Sequence, residues 1–254
     1  MKTRYFLSFA MNNVANRIRW AGAGAVLALA AGCATGPGAN PADPFEPFNR
    51  GVSRFNDAVD DAVLVPAATA YQNALPSLVR TGVNNFFSNI GDVWNLANNV
   101  AQLKLQNSAE TFMRLNVNTI FGLAGVLDVA TEAGIPRHEE DFGQTLGYWG
   151  VGSGPYVVLP LLGSSTLRDT AAKPLDIWGD PLGHVEDIPW RNSLTVLRVV
   201  DTRSQYLRAS RLLGDAALDK YSFTRDAYLQ RRRSQVYDGN PPDDGGGTDK
   251  GTDK

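Results

Sequence analysis

Through the middle of the chain, apolar residues recur at helical spacing. Val79, Val83, Phe86, Ile90, Val93, Ala97 and Val100 follow one another at steps of three and four, which puts them on one face of a helix running from Ser77 to Gln102. The opposite face holds Thr81, Asn84, Asn85, Ser88, Asp92, Asn95, Asn98, Asn99 and Gln102. It is polar yet almost uncharged, where a soluble helix ordinarily carries Lys and Glu. Such a face fits an unusual surface helix, and it equally fits a helix at a membrane interface or one that lines a polar conduit. Gly82 and Gly91 are the places where this helix could bend or split.

A second helix is signalled by Asn107 with Glu110 three residues on, an Asn variant of the capping box, ahead of Phe112, Met113, Val117, Ile120 and Phe121. Further helices are expected over Phe45 to Val63, Asn192 to Leu213 and Ser222 to Arg233. The run Arg231-Arg232-Arg233 would sit at a helix C-terminus, where positive charge is favourable; anionic headgroups are the other use for it. The best strand signal is Tyr156 to Leu159, between prolines. The pattern is that of an all-α protein with one long glycine-rich excursion.

The ends of the chain change the picture more than its overall composition does. With 254 residues, 43% hydrophobic and 20% charged, the chain can bury a core. Lys and Arg number 24 against 26 Asp and Glu, a balance that offers nucleic acid no basic surface. The first 32 residues, however, carry Lys2, Arg4, Arg17 and Arg19 and no acid, and Trp20 to Ala31 is an apolar run. That run is short of the roughly 20 residues a bilayer span needs, so residues 1–32 are expected to be a signal peptide. A start at Met11 would give a leader of more usual length.

Leu29-Ala30-Ala31-Gly32 leads directly into Cys33, the single cysteine. This resembles the lipobox of bacterial lipoproteins, with Ala30 where Leu is commoner, and the resemblance implies that Cys33 is cleaved free and acylated. Ala34 is not the Asp that retains such proteins in the inner membrane, so the expected destination is the outer membrane. With no second cysteine, no intramolecular disulfide can form. Residues 33–42 read as a flexible tether and 238–254 as a disordered tail rich in Asp, Gly and Pro. Between them, 43–237 is the folded body.

Several ordered motifs fill that body. Asp43-Pro44-Phe45-Glu46-Pro47-Phe48-Asn49-Arg50 is followed by Phe55-Asn56 and Asn84-Asn85-Phe86. Then come Glu140-Asp141-Phe142-Gly143-Gln144-Thr145-Leu146-Gly147, Tyr148-Trp149-Gly150-Val151-Gly152-Ser153-Gly154-Pro155-Tyr156, Ser164-Ser165-Thr166-Leu167-Arg168-Asp169 and Arg225-Asp226-Ala227-Tyr228-Leu229-Gln230-Arg231. Together they resemble the MlaA (VacJ) family over nearly the whole folded body.

The resemblance implies a ring-like arrangement of amphipathic helices embedded in one leaflet of the outer membrane, lipid-anchored, with a glycine-rich hairpin loop. A polar channel through the ring would take mislocalised phospholipid from the outer leaflet and pass it to a periplasmic carrier of the MlaC type. A trimeric porin is the implied membrane partner. Gly150 and Gly152 match hinge positions of the loop, although a tight turn would use glycine for the same backbone freedom. Tyr148, Trp149, Tyr156, Asn84 and Asn85 are candidates to line the loop or channel, and Phe55 and Asn56 mark a family-motif helix.

Chemistry-bearing patterns are otherwise sparse, and no enzyme, cofactor or metal is expected. His138 next to Glu139-Glu140-Asp141 could suggest a metal, but a zinc site needs three or four ligands and the chain has two histidines, His138 and His184. Gly163-Ser164-Ser165 lacks the flanking glycine of a hydrolase nucleophile elbow. No Walker-type phosphate loop is present, so transport would be powered elsewhere or run down a gradient. A scaffolding lipoprotein is the alternative to a lipid channel, and a lipid-cleaving enzyme is the third class.

Overall fold

A computed structural model describes residues 43–242. The expected signal peptide (1–32), Cys33, the expected tether (33–42) and residues 243–254 lie outside the described residues. The first helix, α1 (Glu46–Val59), opens with Pro47 in its first turn, where a missing N–H costs nothing. It runs through a π-helical segment (Asp60–Leu64) into α2 (Val65–Ala74). The helix expected over 45–63 is thus longer than its pattern. Pro76 precedes α3 (Ser77–Ala101), which Gly82 and Gly91 leave unbroken.

Helix α4 (Leu105–Ile120) starts two residues before Asn107, from Lys104 and with no side-chain cap. The expected capping box is therefore absent. Glu110 instead accepts from Gln106 one turn earlier (2.9 Å) and faces His138 Nε2 (2.5 Å). A one-turn helix, α5 (Val129–Glu132), is capped by Asp128.

The glycine-rich excursion is more ordered than its composition suggests, because two short polar side chains start helices within it. Asp141 caps α6 (Phe142–Tyr148) by accepting from Gln144 N (2.8 Å), and Thr166 caps α7 (Leu167–Gly179) by accepting from Asp169 N (3.2 Å). Between them Tyr156–Leu159 (β1) forms the expected strand. It pairs antiparallel with Gly163–Thr166 (β2), Tyr156 opposite Thr166 and Leu159 opposite Gly163. A 3-10 turn (Pro181–His184) leads to α8 (Ile188–Ala216), capped by Asp187, and α9 (Lys220–Val236), capped by Asp219, follows. Apart from this hairpin the regular elements among the described residues are helices, as the periodicity predicts. Helix α3 packs along α4, α2 along α8, α6 against α7, and α9 against α6 and β2.

The direction of burial decides how these helices are to be read. Of the seven apolar stripe residues on α3 none is buried, whereas Asp92, Asn98, Asn99 and Gln102 from the polar face are. Helix α4 repeats this, burying Ser108, Thr111, Arg114 and Asn118 while Phe112, Met113 and Ile120 stay exposed. The following turn adds exposed Phe121, Leu123 and Leu127. Arg114, at 2% exposure, is the largest of the fully buried side chains. The apolar core is small: Tyr156, Val158 and Tyr221, with Val52, Tyr228 and Leu229 against them. Among the described residues no helix is long and apolar enough to cross a membrane.

Candidate functional site

The inward face of α3 meets α4, α6 and the 137–140 segment in a continuous polar interior. Thr145 Oγ1 donates to Asn98 Oδ1 (2.8 Å), and Gln102 Nε2 donates to Glu140 (2.8 Å) and Thr145 (3.1 Å). Lys104 Nζ meets Glu140 at 2.7 Å, and Arg137 reaches Asp92 (2.9 Å) and the Ser88 carbonyl (2.6 Å). Arg114 bonds both Asp128 oxygens (2.8 and 3.0 Å) and the Ile135 carbonyl. Burial raises the Asp92 and Glu140 carboxyls above the usual carboxylate range, and their cationic partners offset this only in part. Asn99 Oδ1, Gln102 Oε1, Thr111 Oγ1 and Arg114 Nε are buried without a protein partner. Such atoms belong to a polar, hydratable interior.

At the C-terminal end of α3 this interior adjoins the glycine loop. Trp149 donates its indole N–H to the carbonyl of Ala101 (3.1 Å), Tyr148 stacks edge-on against Trp149, and Lys104 Nζ lies 5.5 Å from the Tyr148 ring. Gly150, at φ +90°, closes α6: its N–H meets the Gly147 carbonyl and Val151 N–H reaches back to Leu146 (2.9 Å), a Schellman-type end. Gly152 has no positive φ, and a Cβ there would meet open space. The two expected hinge glycines are therefore unlike: one is required by a helix end and the other is free to carry a side chain. Downstream, the loop is held by Arg168 N–H on Ser153 (3.1 Å) and Leu167 N–H on Pro155 (3.0 Å).

The remaining candidates are dispersed. Tyr156 is only 1% exposed and belongs to the apolar core, its hydroxyl 2.8 Å from Ser164 Oγ. Asn84 lines a polar groove between α3 and α8 with Arg80, Asp201 and Ser204, while Asn85 donates to the Val126 carbonyl (3.1 Å). These two lie roughly 24 Å along the α3 axis from Ala101, at 1.5 Å per residue. Phe55 is exposed. Asn56 brackets the hairpin turn, donating to the Leu159 carbonyl (3.0 Å) and accepting from Leu161 N–H (2.8 Å).

Asn49, two helical turns before Asn56, makes the same contact with the strand itself. Its amide donates to the Tyr156 carbonyl (3.1 Å) and to Asp43 (2.8 Å), and accepts from Val158 N–H (2.9 Å). The outer edge of β1 is thus paired at Tyr156 and Val158 not by a third strand but by the Asn49 amide, and Asn56, on the same face of α1, holds the turn that follows. The seven-residue spacing of Asn49 and Asn56 is the signal that would have found this.

Behind the loop lies an ion-pair cluster that the sequence reading also missed. Arg232 forms paired bonds to Asp141 (2.6 and 2.6 Å) and to Asp169 (2.9 and 3.0 Å), and Arg168 Nε meets Asp169 at 3.0 Å. Burial would push the Asp141 and Asp169 carboxyls up, but the hydrogen bonds and charge of Arg232 outweigh it and hold both below the usual range. Gly143 and Gly147 form the floor: an added Cβ would come within 2.5 Å of Arg232 Nη2 and 2.6 Å of Arg168 Nη1 respectively. A pair of glycines four apart on a capped helix is the sequence mark of that seat.

A family model described as MlaA lipoprotein matches residues 41–235. The intermembrane phospholipid transport system lipoprotein MlaA of Escherichia coli is 36% identical over 195 residues, covering 74% of this chain and 76% of that one. Its counterpart in Haemophilus influenzae is 31% identical over 201 residues, with 78% and 80% covered. An uncharacterised protein of Rickettsia conorii is 39% identical over 195 residues, with 76% and 78% covered. A solved structure from work on the structural basis for maintenance of bacterial outer membrane lipid asymmetry superimposes with a TM-score of 0.66 at 34% identity, covering 78% of this chain and 99% of that one. By the extent of the family match and the identity to these relatives, the chain belongs to the MlaA lipoprotein family.

Proposed function

We propose that this protein is an outer-membrane lipoprotein that removes mislocalised phospholipid from the outer leaflet and passes it to a periplasmic carrier of the MlaC type. The observation that carries this reading is the inverted polarity of α3 and α4, with apolar side chains outward and amides and paired charges inward. In water that arrangement exposes a broad apolar surface; among acyl chains it places the outer faces in a matching medium. The inward amides and paired charges would then offer hydrogen-bonding groups to a zwitterionic headgroup. The ring set into the inner leaflet, the acyl anchor on Cys33 and the neighbouring trimeric porin complete the proposal. Gly150 and Gly152 would let the loop between Trp149 and Ser153 change arrangement and so admit or hold back lipid.

Deletion of the gene is expected to leave phospholipid in the outer leaflet, read as detergent sensitivity and as added substrate for an outer-leaflet acyltransferase. The wild-type gene should reverse this, and Cys33→Ala should not, because the chain no longer fractionates with the outer membrane. A deletion strain with unaltered outer-leaflet composition would defeat the transport reading and leave a scaffolding role.

A further inference from the structure

The cavity behind the glycine loop, about 490 Å³, is walled by residues 150–154, Arg168, Arg232 and the end of α9. Its size falls within the roughly 300–1,000 Å³ of small-molecule sites. Its charge is one-sided: arginines line it, and no Asp or Glu does. The carboxylates that neutralise those arginines, Asp141 and Asp169, line a second cavity of about 260 Å³ on the other side of the cluster. Arg232 lines both. It therefore stands between the two cavities, with four of its five N–H donors bound to Asp141 and Asp169.

Arg168 leaves more of its donor capacity unused. Nε is bound to Asp169, and Nη1 makes only a long 3.3 Å bond to the Val151 carbonyl, a group belonging to the loop itself. Both guanidiniums can approach α6 this closely only because Gly143 and Gly147 carry no Cβ. Two seated, nearly buried arginines facing a cavity without carboxylates match the paired-oxygen geometry of a phosphate group better than lysines would.

We infer that the Arg168–Arg232 pair is a phosphodiester subsite, at which the phosphate of a lipid headgroup entering beneath the glycine loop is recognised. The inference rests on the transport reading above and adds where in the protein the headgroup is read. A phosphodiester arriving at Arg168 competes with the Val151 carbonyl for Nη1, so occupancy of the subsite and release of the loop are coupled through one hydrogen bond. The two carboxylates compete with the phosphate for the same guanidiniums and keep its binding reversible.

The test uses the full lipidated chain in mild detergent, with retained lipid read by native mass spectrometry after exposure to phosphatidylethanolamine or to diacylglycerol with the same acyl chains. The wild type should retain the phospholipid in preference to the diacylglycerol. Arg168→Gln should lower phospholipid retention roughly tenfold or more, the scale of a lost charge-assisted hydrogen bond, while leaving diacylglycerol unchanged. Asp169→Asn, which keeps shape but removes a competing charge, should raise phospholipid retention.

Equal loss in Arg168→Gln and Asp169→Asn, or no loss in Arg168→Gln, would make the cluster a structural ion pair and overturn the subsite while wild-type retention still supports transport. A wild type that retains no phospholipid fails the transport reading, and the subsite falls with it. Glycerophosphoethanolamine should displace the lipid. Displacement by inorganic phosphate alone would assign the arginines to free phosphate and likewise overturn the proposal.

Discussion

Replacing Asn49 with Ala is expected to be among the costliest single changes in the protein. Asn49 is fully buried, and its amide serves three partners at once: the Tyr156 carbonyl, the Val158 N–H and the Asp43 carboxylate. Tyr156 and Val158 are themselves buried, at 1% and 4% exposure, so water does not reach the groups that are left. Each buried backbone group without a partner costs about 1–3 kcal/mol. Two such groups, with some relaxation, put Asn49→Ala at about 3 kcal/mol or more, against the roughly 5–15 kcal/mol by which a typical domain is stable.

For a body of this size that loss lowers the melting temperature by about 6–12 °C. Asn56→Ala removes the amide that holds the hairpin turn. Leu161 there is 69% exposed, so water replaces the lost bond and the cost is about 1 kcal/mol. Asn49→Asp keeps the shape but turns a donor into an acceptor facing the Asp43 carboxylate and the Tyr156 carbonyl, and should be at least as harmful as Ala. Tryptophan-fluorescence melts of the four proteins in one detergent would rank them. An Asn49→Ala melt within about two degrees of the wild type, or Asn49→Asp more stable than Asn49→Ala, would refute the view that the Asn49 amide pairs the strand edge.

The glycines supply a second contrast: Gly143→Ala places a Cβ among Arg232 and Asp169 and should cost about 1–3 kcal/mol in the same melts, whereas Gly152→Ala meets open space and should leave stability unchanged. Arg114→Ala strips Asp128 and the Ile135 carbonyl of a buried partner and should destabilise by about 2–4 kcal/mol, visible as early protease cleavage near residues 121–135. Acid should also unfold the protein through its depressed carboxyls. Asp128, pushed up by burial but drawn down further by Thr131, Asn118 and Arg114, sits at about 2, and Asp141 and Asp169 are also lowered. Their contribution is complete above the unfolded carboxylate value near 4 and is lost as pH falls through the folded values, while the raised Asp92 and Glu140 act in the opposite sense. A melting temperature that stayed flat from pH 5 to about pH 2 would contradict this balance.

The helices were legible because they rest on periodicity, a local property. The 77–102 pattern gave α3 to within a residue, and Tyr156–Leu159 was readable as a strand between its flanking prolines. What local pattern could not give is direction. Helix α4 begins before Asn107 because its start is set by the turn at Leu103 (φ +58°) and by Lys104, whose amine is drawn to Glu140 and Asp238, residues distant in sequence. The helices α6 and α7 were hidden by glycines at 143, 147 and 179, each of which is there because another side chain occupies the space a Cβ would take. At Gly179 that neighbour is the Trp94 ring of α3. A glycine chosen for packing and a glycine chosen for a turn look the same in sequence.

The uncharged face of α3 follows from the same consideration of surroundings. Were that face toward water, nothing would disfavour Lys or Glu on it. Turned inward, every ionised group needs a partner or incurs a large desolvation cost, and the charges that do occur there, Asp92, Lys104, Arg114, Arg137 and Glu140, are all paired. Asparagine avoids the requirement: Asn98 and Asn99 donate back to the carbonyls of Trp94 and Asn95 one turn earlier and present a carbonyl oxygen inward. Asn98 Oδ1 meets Thr145, while Asn99 Oδ1 has no protein partner. These two positions are therefore neutral and still present hydrogen-bond acceptors inward. At the glycine-loop end, in contrast, Arg168 and Arg232 border a cavity with no carboxylate in its wall. On the proposed transport reading, amides and paired charges along α3 would let a headgroup pass, and the carboxylate-free wall is where its phosphate would be held.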